Sequence, residues 1–236
     1  MKRISILAIV AMFLLITALP AAAITNGEPD GEGHPNVGLM IAEVDGEVEW
    51  RCSGTLIAPR VFLTAGHCVG DDATAARVWF ASDMADVPDY PGGGVIALEG
   101  TPIPHPDYNW GDSDPHDVGV VILDESVTDI EPAALPDPDL LSQLKEDRIL
   151  EGGYGNQDKE DRVFFRSVGY GGTLESWQPP VLEYVKIRRV AESEYVALTK
   201  TTLHLSQKAV FDESGSCFGD SGGPVFYVDP EGNETI

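Results

Sequence analysis

The chain has 236 residues, 43% of them hydrophobic, enough for one large domain or two small ones with a sizeable core. Its 39 acidic and 15 basic residues give a net charge of −24, a surface that repels nucleic acid and anionic membranes. The three cysteines and five histidines show no zinc spacing and there is no H-E-x-x-H, so neither a metal enzyme nor another cofactor is expected.

The first 23 residues read as a secretory signal peptide. Lys2 and Arg3 give a positive start, Ile4 to Leu19 is apolar apart from Ser5 and Thr17, and Ala21-Ala22-Ala23 supplies small residues for cleavage. Without Lys2 and Arg3 the mature chain holds 13 basic against 39 acidic residues, a net charge of −26. No later window is long and apolar enough to span a membrane. The odd cysteine count in an exported chain implies one disulfide and one thiol left over.

Beyond the leader, short β-rich segments alternate with Pro/Gly/Asp turns. Strands are expected at Val37–Val44, Leu56–Thr64, Ala76–Ala81, Val95–Leu98 and Val118–Leu123. A Pro-rich connection, "EPAALPDPD", and a helix near Leu140–Asp147 follow. Further strands are expected at Arg162–Val168, Val181–Val190, Thr202–Ser206 and Pro224–Val228. This spacing points to an all-β antiparallel barrel or sandwich.

Three strings carry chemistry: "LTAGHC" at 63–68, "HDVGVVIL" at 116–123 and "GDSGGP" at 219–224. A serine hydroxyl is a weak nucleophile until a base takes its proton. Ser221 lies among small residues whose N–H groups can converge on an oxyanion. The string also fits the G-x-S-x-G elbow of α/β-hydrolases, but that order needs a histidine after the serine, and none follows Ser221. Asp117, at the mouth of an apolar strand, is costly unless paired, and a histidine would satisfy it. His67, Asp117 and Ser221, in that order, therefore form one candidate constellation.

These strings, with "ITNG" at 24–27, "CSGTLIAPRVFLTAGHC" at 52–68, "GGYG" at 152–155 and "SCFGDSGGPVF" at 216–226, resemble the trypsin/chymotrypsin-like serine peptidases, secreted bacterial members above all. The resemblance implies two antiparallel six-stranded barrels, 24–135 and 136–236. It makes His67 the general base, Asp117 its orienter, Ser221 the nucleophile, and the N–H groups of Gly219 and Ser221 the oxyanion hole. It pairs Cys52 with Cys68. Gly66 stands where the family has alanine. An aspartate six residues before the nucleophile marks members that cut after lysine or arginine; Gly215 stands there, so an uncharged residue is expected before the scissile bond. The family's activating ion pair would join the α-amino group of Ile24, freed by signal peptidase itself, to Asp220. The family continues for tens of residues beyond its serine, so the resemblance implies a truncated member. The second barrel would lack its last strands and C-terminal helix, and Cys217 its partner. Expected partners are protein or peptide substrates, with no nucleic acid, no membrane after leader removal, and a monomeric state. The competing readings are a catalytically inactive binding module of this fold, a fragment inactivated by truncation, and an esterase.

Overall fold

The computed structural model describes residues 27–70, 72–92, 97–150, 163–177, 180–183, 186–207 and 215–236. The leader, Ile24 and "GGYG" at 152–155 lie outside these residues. Among the described residues no helix is long and apolar enough to cross a membrane.

The first half is a closed barrel of β2 (Val37–Val44), β3 (Glu47–Ala58), β4 (Val61–Thr64), β7 (Gly119–Leu123), β6 (Leu98–Pro104) and β5 (Ala75–Trp79), in that order. β2 explains its own nearly unbroken apolar run. Successive side chains point to opposite faces. Met40 and Ala42 enter the barrel core with Leu56, Phe62 and Val121, while Val37, Leu39 and Ile41 face a second core with Val168, Tyr170 and Phe226. Both faces are buried, so neither tolerates polar residues.

Three boundaries differ from expectation for local reasons. The run Leu56–Thr64 is two strands, broken at Pro59-Arg60 and repaired by β3–β4 pairing. β3 begins nine residues earlier than expected, because Asp45 (φ 52°) and Gly46 (φ 87°) close a two-residue hairpin with β2. That turn needs positive φ at both positions, which an Asp-Gly pair supplies. β6 starts at Leu98 and runs on to Pro104. Its pairing to β5 stops at Gly100, so Pro102 and Pro104 have only β7 as a neighbour, where their missing N–H groups break no second ladder.

The second half is a six-stranded antiparallel sheet in the order β1 (Glu28–Pro29), β11 (Arg189–Leu198), β8 (Phe164–Gly169), β13 (Val225–Val228), β14 (Glu234–Thr235), with β12 (Leu203–Leu205) also on β11. β9 (Thr173–Trp177) and β10 (Pro180–Glu183) form a separate ribbon. Among the described residues one barrel closes, and this second sheet stays open. Its two ends, β1 and β14, are two residues long and do not pair with each other. The expected strand Val181–Val190 spans the end of β10 and the start of β11. One α-helix, α1 (Leu140–Glu146), lies where expected and sets Leu144 against Phe165, Tyr195 and Tyr227.

Candidate active site

His67 sits in a single 3-10 turn, Gly66–Cys68, immediately after β4. The turn is stapled from behind by the Cys52–Cys68 disulfide, the pairing the resemblance implied. Gly66 has a local reason: a Cβ there would lie 2.8 Å from the Tyr108 ring and 3.1 Å from the Val118 nitrogen.

Asp117 enters from the strand beside it. His116 adopts φ 48° and the Val118 N–H bonds back to its carbonyl at 2.7 Å, turning the chain just before β7. The Asp117 carboxylate then grips His67 twice. Oδ1 accepts from the His67 backbone N–H at 2.8 Å, and Oδ2 lies 2.9 Å from Nδ1. An ionised carboxylate only accepts, so Nδ1 carries the hydrogen and Nε2 is left as the free base. Trp110 stands edge-on to the imidazole, ring centroids 5.4 Å apart.

The loop of Ser221 is docked on the same strand as the disulfide. Its carbonyl accepts from the Ser53 N–H at 2.8 Å and lies 3.7 Å from Cys68 Sγ. Ser53 Oγ donates to the Gly219 carbonyl at 3.0 Å and accepts from the Tyr170 N–H at 2.9 Å. Gly222, at φ 78°, makes this approach feasible, since a Cβ there would fall 2.1 Å from Thr64 Oγ1 and 2.6 Å from the Ala65 nitrogen. No hydrogen bond joins Ser221 Oγ to the His67 ring among the described residues. Such bonds often tighten only when substrate arrives.

Around the serine, the N–H of Asp220 turns back to the Cys217 carbonyl at 3.0 Å, while those of Gly219 (φ 96°) and Ser221 have no acceptor among the described residues. The Asp220 carboxylate is buried, accepting from the Gly171 N–H at 2.7 Å and the Cys217 N–H at 2.8 Å. Burial pushes its pKa up to about 6, against the pull of those two N–H groups and the charge of Arg51. The Ile24 half of the expected pair lies outside the described residues.

Gly215 is buried, and the Gln207 side chain lies across it, so that a Cβ at Gly215 would meet Gln207 Cγ at 2.3 Å. Sequence reasoning passes over Gln207, Ser53, Tyr170 and Gly171. Cys217 is a free thiol whose pKa burial raises. Cys52, His67 and Cys68 are the one metal-like grouping among the described residues, but both sulfurs are consumed by the disulfide.

A family model described as Trypsin matches residues 31–231. Serine protease 1 of Drosophila melanogaster is 28% identical over 224 residues, covering 90% of this chain and 73% of that protein. CLIP domain-containing serine protease B15 of Anopheles gambiae is 28% identical over 214 residues, 84% of this chain and 56% of that one. Serine protease Hayan of Drosophila melanogaster is 35% identical over 117 residues, so the chain spans only 18% of its length. All three relatives are insect proteins, whereas the motifs had suggested a bacterial affinity. The match to the family model covers most of the chain, and the chain belongs to the trypsin family of serine proteases.

Proposed function

We propose that the chain is a secreted serine endopeptidase working through an acyl-enzyme. The observation that carries this reading is the double grip of Asp117 on His67, which leaves Nε2 free on the ring stapled next to the docked Ser221 loop. Ser221 Oγ attacks the peptide carbonyl while His67 Nε2 takes its proton. The N–H groups of Gly219 and Ser221 hold the resulting oxyanion, and the imidazolium then protonates the leaving amine. Water repeats the sequence and releases the acid. Asp117 stabilises the imidazolium without taking its proton.

Lys2, Arg3 and the apolar run to Leu19 direct export, and cleavage after Ala23 frees the Ile24 amine to pair with Asp220. Gly215 under the neutral Gln207 amide supports an uncharged residue before the scissile bond, because burying an unpaired lysine or arginine there is expensive. The expected substrates are proteins or peptides.

The test is a fluorophosphonate probe followed by peptide mapping, with a peptide library profiled in parallel. Labelling at Ser221, lost in Ser221→Ala and His67→Ala, is the expected result. An unlabelled Ser221 in folded protein would overturn the triad, and a strong preference for Arg or Lys would overturn the assigned pocket floor.

A further inference from the structure

Away from the serine, six charged side chains form one chain of contacts in alternating sign. Arg188 Nε lies 2.7 Å from Asp30 Oδ2, and the two side chains are each 1% exposed. Asp30 Oδ1 lies 2.5 Å from His34 Nδ1, and the His34 backbone N–H donates to Asp30 Oδ2 at 2.9 Å. His34 Nε2 lies 3.0 Å from Glu234 Oε2. Glu234 pairs with Arg166 through its other oxygen, and Arg166 Nη2 lies 2.9 Å from Glu192 Oε1. The His34 ring is buried and stacks on Phe226, centroids 5.3 Å apart.

The two ring nitrogens therefore each face a carboxylate oxygen. An ionised carboxylate cannot donate, and a neutral imidazole has one N–H. Only the imidazolium satisfies both sides. With it, the network holds three cations (Arg188, His34, Arg166) and three anions (Asp30, Glu234, Glu192) and is neutral as a set. With neutral imidazole the set carries a net negative charge, and one nitrogen lone pair points at a carboxylate.

The clasp joins parts distant in sequence. Asp30 and His34 belong to the segment that follows β1, near the proposed mature N-terminus. Glu234 lies on β14, at the open edge of the sheet, and Phe226 on β13, which starts four residues after Ser221. Arg188 also donates to the Gly31 carbonyl at 2.6 Å and reaches the Tyr170 hydroxyl at 3.4 Å, next to the Gly171 that holds Asp220.

We propose that His34 is a proton-operated clasp that fastens the N-terminal segment to β14 when it is an imidazolium and releases it when it is neutral. The charged groups facing the ring are Asp30 from its own segment and Glu234 from β14; Arg188, Arg166 and Glu192 stand one contact further out. Deprotonation leaves the ring one N–H for two carboxylates, so the clasp opens as pH rises. On the acid side it is limited by Asp30. Burial raises the Asp30 carboxyl, but the hydrogen bonds from His34 and Arg188 outweigh it and hold its pKa below 3.8.

The experiment is a pair of measurements on the full secreted chain. Nitrogen NMR of the His34 ring at pH 6 should show both nitrogens protonated, and Glu234→Gln should move the ring's titration midpoint to lower pH. Hydrogen exchange of residues 27–34 and 233–236 should accelerate several-fold between pH 6 and pH 8.5 after correction for the intrinsic rate. In His34→Gln, exchange should be fast at both values. A ring already neutral at pH 6 overturns the proposal, and so does a corrected exchange ratio in wild type that does not change with pH. The ring titration of wild type and Glu234→Gln decides the matter even where His34→Gln does not fold.

Discussion

The backbone N–H of Gly171 donates to Asp220 Oδ1 at 2.7 Å, and no side chain separates the two. A Cβ at Gly171 would lie 2.2 Å from Asp220 Oδ2 and 2.4 Å from Cγ. Asp220 is buried and sits between Gly219 and Ser221, so it cannot step aside without moving both. Gly171→Ala should therefore destabilise the fold by about 1–3 kcal/mol, the usual cost of overpacking. It should also slow fluorophosphonate labelling of Ser221. Urea unfolding and labelling rates measure the two effects separately, and an unchanged labelling rate would detach Gly171 from the geometry of the serine loop.

Asp117→Asn should leave secretion and folding almost intact while cutting peptide hydrolysis by about 10^4-fold, the loss known for this change in serine proteases. The amide would present an N–H to one of the two groups that now donate to it. His67 would then hold its proton on the wrong nitrogen. Comparing kcat/KM with the unfolding midpoint separates this from simple misfolding.

The buried Asp220 gives stability a pH dependence whose sign reports its partner. Its pKa is raised from 3.8 to about 6, so the folded state binds the proton more tightly than the unfolded chain. The cost of ionising it is absent below about pH 4 and fully present above about pH 6, at most about 3 kcal/mol. A chain with its N-terminus blocked should thus lose stability across that window, and Asp220→Asn should flatten the loss. A free Ile24 amine that pairs with Asp220 would lower its pKa and remove or reverse the slope. Denaturation curves from pH 4 to 6.5 on free and N-acetylated chains are the measurement.

Trp110 is 69% exposed, yet its ring stands against His67. A large apolar side chain left in water beside the proposed base is well placed to take an apolar part of the substrate. Trp110→Ala should raise KM for peptides with a bulky apolar residue in that position by about tenfold, one to two kcal/mol of lost burial. Labelling by a small fluorophosphonate should stay within about twofold. Equal losses for both would mean that Trp110 acts by positioning His67.

How far the sequence could be read depends on what each residue does. The pairing of His67 with Asp117 was legible because both stand in recognisable strings and a carboxylate at the mouth of an apolar strand needs a partner; the roles of these two and of Ser221 are proposed. Ser53 and Gly171 were not legible, because they act through backbone groups and one short hydroxyl, which leave no signature in a string. "GGYG" at 152–155 and "GYGG" at 169–172 look alike, and only the fold shows that the second one faces Asp220. Most strand centres followed from apolar alternation. Strand ends did not, since β3 is lengthened by an Asp-Gly turn and β6 by its pairing with β7. Which strands end the second sheet was not legible, because edge pairing joins residues far apart in sequence and no local pattern encodes it.

The alternation along β2 has a consequence for how the molecule comes apart. Leu39 and Met40 are chain neighbours, but they serve different cores. The strand is a party wall, and neither room can lose it and stay standing. Heat or denaturant should accordingly give one sharp transition and no stage with a single half intact. Leu39→Ala and Met40→Ala, each costing about 2–5 kcal/mol, should shift that same transition, whether it is followed by Trp79 fluorescence from one side or by barrel amide exchange from the other.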